Sequence, residues 1–433
     1  MRRSFFIVLL ILAEIALASG VAFAASRFCA PLPDKSGDVK ITVTNAEAAN
    51  LASIVYDAKP HTTILLEDGT YSTGALNFQT PHVTLRAKSG NRDGVILDGR
   101  YHTQEIISVS ASNVTIADLT IRRAYDHAIH IVGGGHSARL YDLHIVDARE
   151  QFIKVNPSGT DYADYGTLAC SLLEMTDAGR AYLQENPLPE YLCYTGGLDA
   201  HQAWGWTVRD NTIKNIYCTN GSIAEHGIHF WNSCREPTVE RNWLINNARG
   251  IGFGLGGRGG QRIYPDNPLS GSGLSPRDVQ HIGGVIRNNV VFANTPYFDT
   301  GIGLEQAWNV SVYHNTVYSA KGGLGIDIRF AHSNPSVKNN LASPFIHLRD
   351  GGKPRQSAGN IQATPEMFVD TATGDLHLLR GALQAINKGV QGVPVPTDID
   401  GDPRDGQPDI GADEYQGGLT DEHGPARGHR EHL

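Results

Sequence analysis

Side chains able to move a proton, hold an anion or stack on a ring recur through the middle of this 433-residue chain. The basic and imidazole groups are His130, Lys154, His201, His226, His229 and Arg249, with Trp231 two residues after His229. A lysine beside another cation loses basicity, and a neutral imidazole accepts a proton near neutrality, so Lys154 and His229 are the candidates for acid–base work. The chain as a whole is acidic, with 36 Lys+Arg against 45 Asp+Glu and a net charge of −9. A cationic cluster on an anionic protein reverses the local field and points to an acidic ligand. Trp231 offers a flat face with one polar edge, which suits a sugar ring. Asn156 and Arg329 add polar contacts. Glu305 and Asp327 form a carboxylate pair with two readings: acid and base of an inverting glycosidase, or two oxygen ligands of a Ca²⁺ ion.

Whether these residues meet depends on the elements that carry them. The segments Ala128-Ile129-His130-Ile131, Phe152-Ile153-Lys154-Val155, Gly227-Ile228-His229-Phe230 and Gly250-Ile251-Gly252-Phe253 align with one another. So do Gly301-Ile302-Gly303-Leu304, Gly325-Ile326-Asp327-Ile328 and Phe345-Ile346-His347-Leu348. Isoleucine holds the second place throughout, and a bulky apolar residue holds the fourth. This is the period of a strand with one buried face. The interval is 20 to 24 residues, except for 75 between Ile153 and Ile228 and 51 between Ile251 and Ile302. A second element precedes the strands: Val208-x-x-Asn211, Val239-x-x-Asn242, Ile286-x-x-Asn289, Val312-x-x-Asn315 and Val337-x-x-Asn340, with Leu119 and Leu143 in that place earlier. A buried asparagine needs its amide bonded, and stacked bends provide this by letting each Asn bond the next. The interval, the short strands and the Asn column predict an all-β fold, a right-handed parallel β-helix.

With the isoleucines inward, the third position faces outward. That column reads His130, Lys154, His229, Gly252, Gly303, Asp327, His347. Two residues further on it reads Val132, Asn156, Trp231, Gly254, Glu305, Arg329, Arg349. Rungs stack about 4.8 Å apart. This reading therefore sets Lys154 and His229 side by side, with Trp231 on the same face and glycines as the floor of a groove. The long intervals read as insertions at about 157–204 and 255–283, rising beside that face. They carry His201, Trp204 and Trp206, then Arg258, Arg262, Tyr264 and His281, and 167–184 reads as a short helix.

Arg2, Arg3, the apolar run 5–17 and Ala22-Phe23-Ala24 predict a signal peptide over 1–24 and a secreted or periplasmic protein. In such a compartment the five cysteines pair, and the expected pairs are Cys170–Cys193 and Cys218–Cys234, with Cys29 left over. Residues 25–60 read as an N-terminal cap with a short helix around 46–57. The β-helix spans 61–350, further rungs and a cap span 351–415, and 416–433 form a disordered tail. The acids of 398–402 and 409–414 read as an end cap or a Ca²⁺ site. Hydrophobic residues at 40% and charged residues at 19% exclude a disordered chain. The acidic balance argues against a nucleic-acid partner. No later run reaches the ~20 apolar residues of a membrane span. A β-helix capped at both ends is expected to be monomeric.

On the Ile column, the Asn column and the terminal acidic segments, residues 60–350 resemble the pectate-lyase-like superfamily of bacterial exported β-helix proteins. The resemblance implies β-elimination or C5 epimerisation of an acidic, uronic-acid-containing polysaccharide. Both begin by removing the proton alpha to a carboxylate, which needs a base and a cation for the developing enolate. On that expectation Lys154 is the base and His229 the proton donor or carboxylate partner, with the roles open to exchange. Arg249 or His201 binds the carboxylate. The Asp-Pro-His-Glu motif of the mannuronan epimerases is missing, and so is a clear Asp cluster like that of pectate lyases. Ca²⁺ is the cofactor to consider. The alternatives are an inverting hydrolase using Glu305 and Asp327, and a non-catalytic sugar-binding or adhesive protein.

Overall fold

The structure, a computed structural model, describes residues 28–188, 191–257 and 262–417. The expected signal peptide, Arg258 of the second expected insertion, and the expected tail beyond Gly417 lie outside the described residues.

The backbone winds as a right-handed parallel β-helix. One wall is a ten-stranded sheet whose strands follow one another rung by rung: Leu76–Phe78, Glu105–Val109, His127–Ile131, Gln151–Val155, Gly196–His201, His226–Trp231, Arg249–Phe253, Thr300–Glu305, Leu324–Arg329 and Ile346–Arg349. The remaining walls are short strands on either side of a bend. Thr207–Arg209 and Thr212–Lys214, for example, pair in parallel with Thr238–Glu240 and Trp243–Ile245 on the next rung. Parallel pairing throughout these walls means that each connection is simply the rest of one coil.

The interior of the ten-stranded wall is the isoleucine column. Ile129, Ile153, Leu198, Ile228, Ile251, Ile302 and Ile326 stand in register, each fully buried. Each such side chain stabilises the fold by roughly 1.5–3 kcal/mol relative to exposure. At the bend, the asparagines form the expected ladder. Asn211 Nδ2 donates to Asn242 Oδ1, Asn242 to Asn289, Asn289 to Asn315 and Asn315 to Asn340, all at 2.9–3.0 Å, and Asn340 donates to a further member, Asn360. The residue before each Asn takes a left-handed conformation, as at Asp210 (φ 58°) and His314 (φ 51°). The sharp reversal leaves the Asn backbone N–H without a strand partner. The next Asn side chain accepts it, as Asn242 Oδ1 does for Asn211 N at 3.1 Å.

Several expectations are corrected. The 75-residue interval is not one insertion, because it holds a complete rung: Thr167–Ala169, Leu172–Glu174 and Gly196–His201. In place of the expected 167–184 helix there is a shorter one, Asp177–Glu185, started by Thr176, whose hydroxyl accepts from Gly179 N. The disulfides are Cys29–Cys170 and Cys193–Cys218, and Cys234 is a buried free thiol. Cys170 sits in the left-handed bend (φ 59°), where Cys29 and Leu32 of the N-terminal segment pack on Tyr141 and Ala169. Cys234 is enclosed instead, donating to Ala200 O at 3.1 Å.

Helical residues do occur near 46–57, as a 3₁₀ turn Asn45–Asn50 and a helix Leu51–Asp57, with Leu51 and Val55 sealing the core. The stack already begins at Val39–Val43, which pairs with Thr62–Leu66. At the other end, Phe368, Leu376, Ile399 and Ile410 run back along the outer face and pack on Trp243, Phe292 and Tyr318. Asp398 accepts from the backbone N–H of Asp400, Asp402 and Glu414, and Arg404 pairs with Glu414.

Candidate active site

The outward column of the ten-stranded sheet reads His130, Lys154, Asp199, His229, Gly252, Gly303, Asp327, with His201 beside Trp231 two residues along. Lys154 and His229 are therefore not neighbours, since the rung carrying Asp199 lies between them. Asp199 joins the cluster together. Its Oδ2 accepts from Lys154 Nζ at 2.5 Å and lies 3.1 Å from His201 Nε2. Its Oδ1 accepts from Trp231 Nε1 at 3.0 Å. Lys154 Nζ also lies 3.3 Å from His201 Nε2.

The electrostatics reverse one expectation. Burial disfavours the Lys154 ammonium, but Asp199 outweighs it, and the net shift is upward. A lysine of lowered basicity needed a cation as its nearest charge, and its nearest charge is an anion. Burial would likewise raise Asp199, but Lys154, His201 and His229 hold its carboxyl well below the usual range. His201 is shifted down by burial despite Asp199, which keeps the imidazole neutral at neutral pH. Lys154 and Asp199 side chains are 6% and 5% exposed, against 18% for His201. Trp231, partly exposed, stacks parallel on His229 at 5.6 Å and meets His201 edge-on at 4.6 Å. His201 and Trp231 thus form the opening of an otherwise enclosed cluster.

Above them the glycine floor is filled. The His226 ring lies across Gly252, where an added Cβ would come within 2.6 Å of it. His226 and His229 stand 4.2 Å apart by ring centroid. His229 Nε2 is 3.1 Å from Gly254 O. The Nδ1 atoms of both rings are buried without a hydrogen bond. Burial takes His226 down to about 4, aided by His229. Glu225, which burial would raise, is brought down to about 2 by His226 and His229. The cluster of cations expected from sequence is thus offset by two carboxylates, Asp199 and Glu225.

The other candidates have their own partners. Arg249 pairs with Asp299 at 3.2 Å. Asp327, 1% exposed, is held by Arg349, while Glu305 accepts from Gly256 N and faces Arg329, which also pairs with Asp350. Each of the two carboxylates thus has a guanidinium partner, Arg349 for Asp327 and Arg329 for Glu305. His130 contacts Glu105 through Nδ1, and Asn156 lies one strand end below the cluster with its Oδ1 buried and unbonded. Arg262 of the second long connection grips Asp164 through two 2.7 Å bonds and donates to Gln202 O, beside His201. Trp206 is not a groove wall: it is 1% exposed and bonds Ala163 O.

Asp199 and Glu225 are the residues that sequence reasoning missed. The signal for Asp199 lay in Leu198-Asp199-Ala200, which has the period-two frame with smaller side chains.

No family model matches the chain, and no curated protein is detectably similar in sequence. Among solved structures, pectate lyase Pel9A superposes with a TM-score of 0.58 at 14% identity, over 87% of this chain and 97% of that one. The chain has the pectate-lyase-like β-helix fold. A rhamnogalacturonan lyase aligns at 12% identity over 85% of this chain and 95% of its own (TM-score 0.48). A polygalacturonase from Erwinia carotovora aligns at 11% over 79% and 100% (TM-score 0.43). At such identities the likeness is one of fold, and the argument for function rests on the side chains of this chain.

Proposed function

We propose that the protein is an exported polysaccharide lyase, or a C5-epimerase, acting on a uronic-acid-containing polysaccharide. The observation that carries this reading is the buried Lys154–Asp199 pair, reached at its margin by the partly exposed His201 and Trp231. Trp231 offers a ring face for a sugar. His201, neutral and partly exposed, takes the proton alpha to the substrate carboxylate, and in the lyase reaction the imidazolium returns it to the glycosidic oxygen as the C4–O bond breaks and the C4=C5 bond forms. With Nε2–H donated to Asp199, its Nδ1 is the acceptor, and Asp199 stabilises the imidazolium that forms. Lys154 stays an ammonium and stabilises the enolate charge. The base role expected for Lys154 thus passes to His201. His229 braces Trp231 from below. Export fits the two disulfides, and among the described residues no helix is long and apolar enough to cross a membrane.

The test is a screen over pectate, alginate, chondroitin and hyaluronan. It follows ultraviolet absorbance for the unsaturated product, reducing ends, and uronate configuration by NMR. A lyase raises the first two, an epimerase changes only the third, and a hydrolase yields reducing ends alone. His201→Gln is expected to remove the activity with little change in melting temperature. Reducing ends without absorbance, or full activity in His201→Gln, would refute the proposal.

A further inference from the structure

Above Asp199, nitrogen and carboxylate atoms of Glu225, His226 and His229 converge. His229 Nδ1 lies 3.4 Å from Asp199 Oδ1 and 3.8 Å from Glu225 Oε2, and His226 Nδ1 lies 3.7 Å from Glu225 Oε2. One ligand-capable atom from each of Glu225, His226 and His229 falls within 4.8 Å of the others. Neither Nδ1 makes a hydrogen bond, although His229 is 1% and His226 7% exposed. A buried polar atom left this way is destabilising unless something binds it.

The separations indicate what belongs there. N–H···O bonds span ~2.7–3.2 Å, and all three distances exceed that. Donor atoms bound to a tetrahedral ion at ~2.0–2.1 Å stand about 3.3–3.4 Å from one another, and further as the angles open. The two separations that join Glu225 to the imidazoles, 3.7 and 3.8 Å, match the wider edges of such a polyhedron, and His229 Nδ1 stands 3.4 Å from Asp199 on its open side. The tautomer agrees as well. His229 Nε2 faces the Gly254 carbonyl at 3.1 Å, so it carries the proton and leaves the lone pair on Nδ1. A backbone carbonyl bonding the far nitrogen is how metal-bound imidazoles are commonly oriented. The His226 ring occupies the space that a side chain at position 252 would fill.

We infer that Glu225, His226 and His229 bind one divalent transition-metal ion of the Zn²⁺ class, with a coordination position left on the side of Asp199. Two imidazoles and one carboxylate suit such an ion and not Ca²⁺, which takes six to eight oxygens. The ion returns positive charge to a strip where one ammonium faces two carboxylates. The inference does not depend on the lyase reading, because it concerns occupancy and not turnover.

The experiment uses the untagged full chain, stripped with a chelator and titrated with Zn²⁺ and, separately, Co²⁺. Uptake is measured by elemental analysis and calorimetry, and Trp231 fluorescence serves as a local reporter because the indole stacks on His229. The parent is expected to take up one equivalent more than Glu225→Gln and His226→Ala, with at least a tenfold loss of affinity in each. Metal bound elsewhere, for instance by the C-terminal histidines, is common to all three proteins and cancels. Far-UV circular dichroism and melting without metal check that each variant folds, and if one fails the other decides. No uptake by the parent, or equal uptake by parent and folded variant, overturns the inference.

Discussion

Replacing Asp199 with asparagine removes one charge and almost no volume. Asn keeps an acceptor for Trp231 Nε1 but leaves the Lys154 ammonium without its counter-ion in a site where the lysine side chain is 6% exposed. Breaking a buried pair from one side costs about 3–5 kcal/mol. For a chain of this length the entropy of unfolding is about 0.9 kcal/mol/K, so the melting temperature is expected to fall by about 3–6 °C at pH 7. The pH dependence follows from the signs of the shifts. In the parent, the raised Lys154 contributes stability that is fully present below the unfolded lysine value of ~10.4 and is lost as pH rises through the folded one. The lowered Asp199 contributes stability present above ~3.9 and lost as pH falls through its folded value. The pair therefore acts across roughly pH 4–10. In Asp199→Asn, burial dominates Lys154 and its folded value drops, so the variant loses stability as pH falls below ~10.4 until that lower value is passed. The melting gap between parent and variant should be wide at pH 6 and narrow towards pH 10. Adding Lys154→Met removes the stranded charge and should restore most of the loss. Thermal melts by circular dichroism of all four members of the cycle, from pH 6 to 10, provide the measurement. A single variant within 1 °C of the parent at pH 7, or a double variant no more stable than Asp199→Asn, would refute the charge-pair reasoning.

Gly252→Ala should displace the His226 ring, which an added Cβ would approach to 2.6 Å, and should lower Zn²⁺ affinity while costing about 1–3 kcal/mol in urea unfolding. Unchanged affinity would show that the ring position is irrelevant to binding. Asn289→Ala strips donors from Asn315, Val239 O and Arg287 O and the acceptor used by Asn242, for a loss of about 3–5 kcal/mol. Asn360→Ala, at the open end of the ladder, should cost about half as much or less by the same melt. Opening Cys29–Cys170, with its separation of 141, should destabilise by about 5 kcal/mol, against about 3.5 for Cys193–Cys218 with its separation of 25. Denaturant titrations of the Cys29→Ser and Cys193→Ser variants test that order.

The scaffold could be read from sequence because stacking imposes identity. Ile228 packs between Leu198 and Ile251, and Asn242 bonds Asn211 on one side and Asn289 on the other, so each position selects its own kind along the column. The rung at 196–201 escaped because Leu198 and Ala200 stand where the neighbours have isoleucine and a bulky residue. The cysteines misled for a geometric reason. Cys218 and Cys234 flank the strand His226–Trp231, whose six residues span about 20 Å, and a disulfide needs Cα atoms within about 7 Å. Being close in sequence across a strand therefore argues against pairing. The sign of the site was lost for a related reason: Asp199 comes from the missed rung, and Glu225 lies just before a strand, outside the repeated frame. Face and exposure are also separate quantities in a solenoid. His229 and Asp327 point outward as their period requires, yet each is only 1% exposed: the rings of Trp231 and His226 on its own strand pack on the first, and Arg349 of the next rung holds the second. An outward position in a β-helix is therefore a place where polar groups can be desolvated while they remain on the side a ligand approaches, and this is what lets Lys154, Asp199 and the histidines perturb one another so strongly.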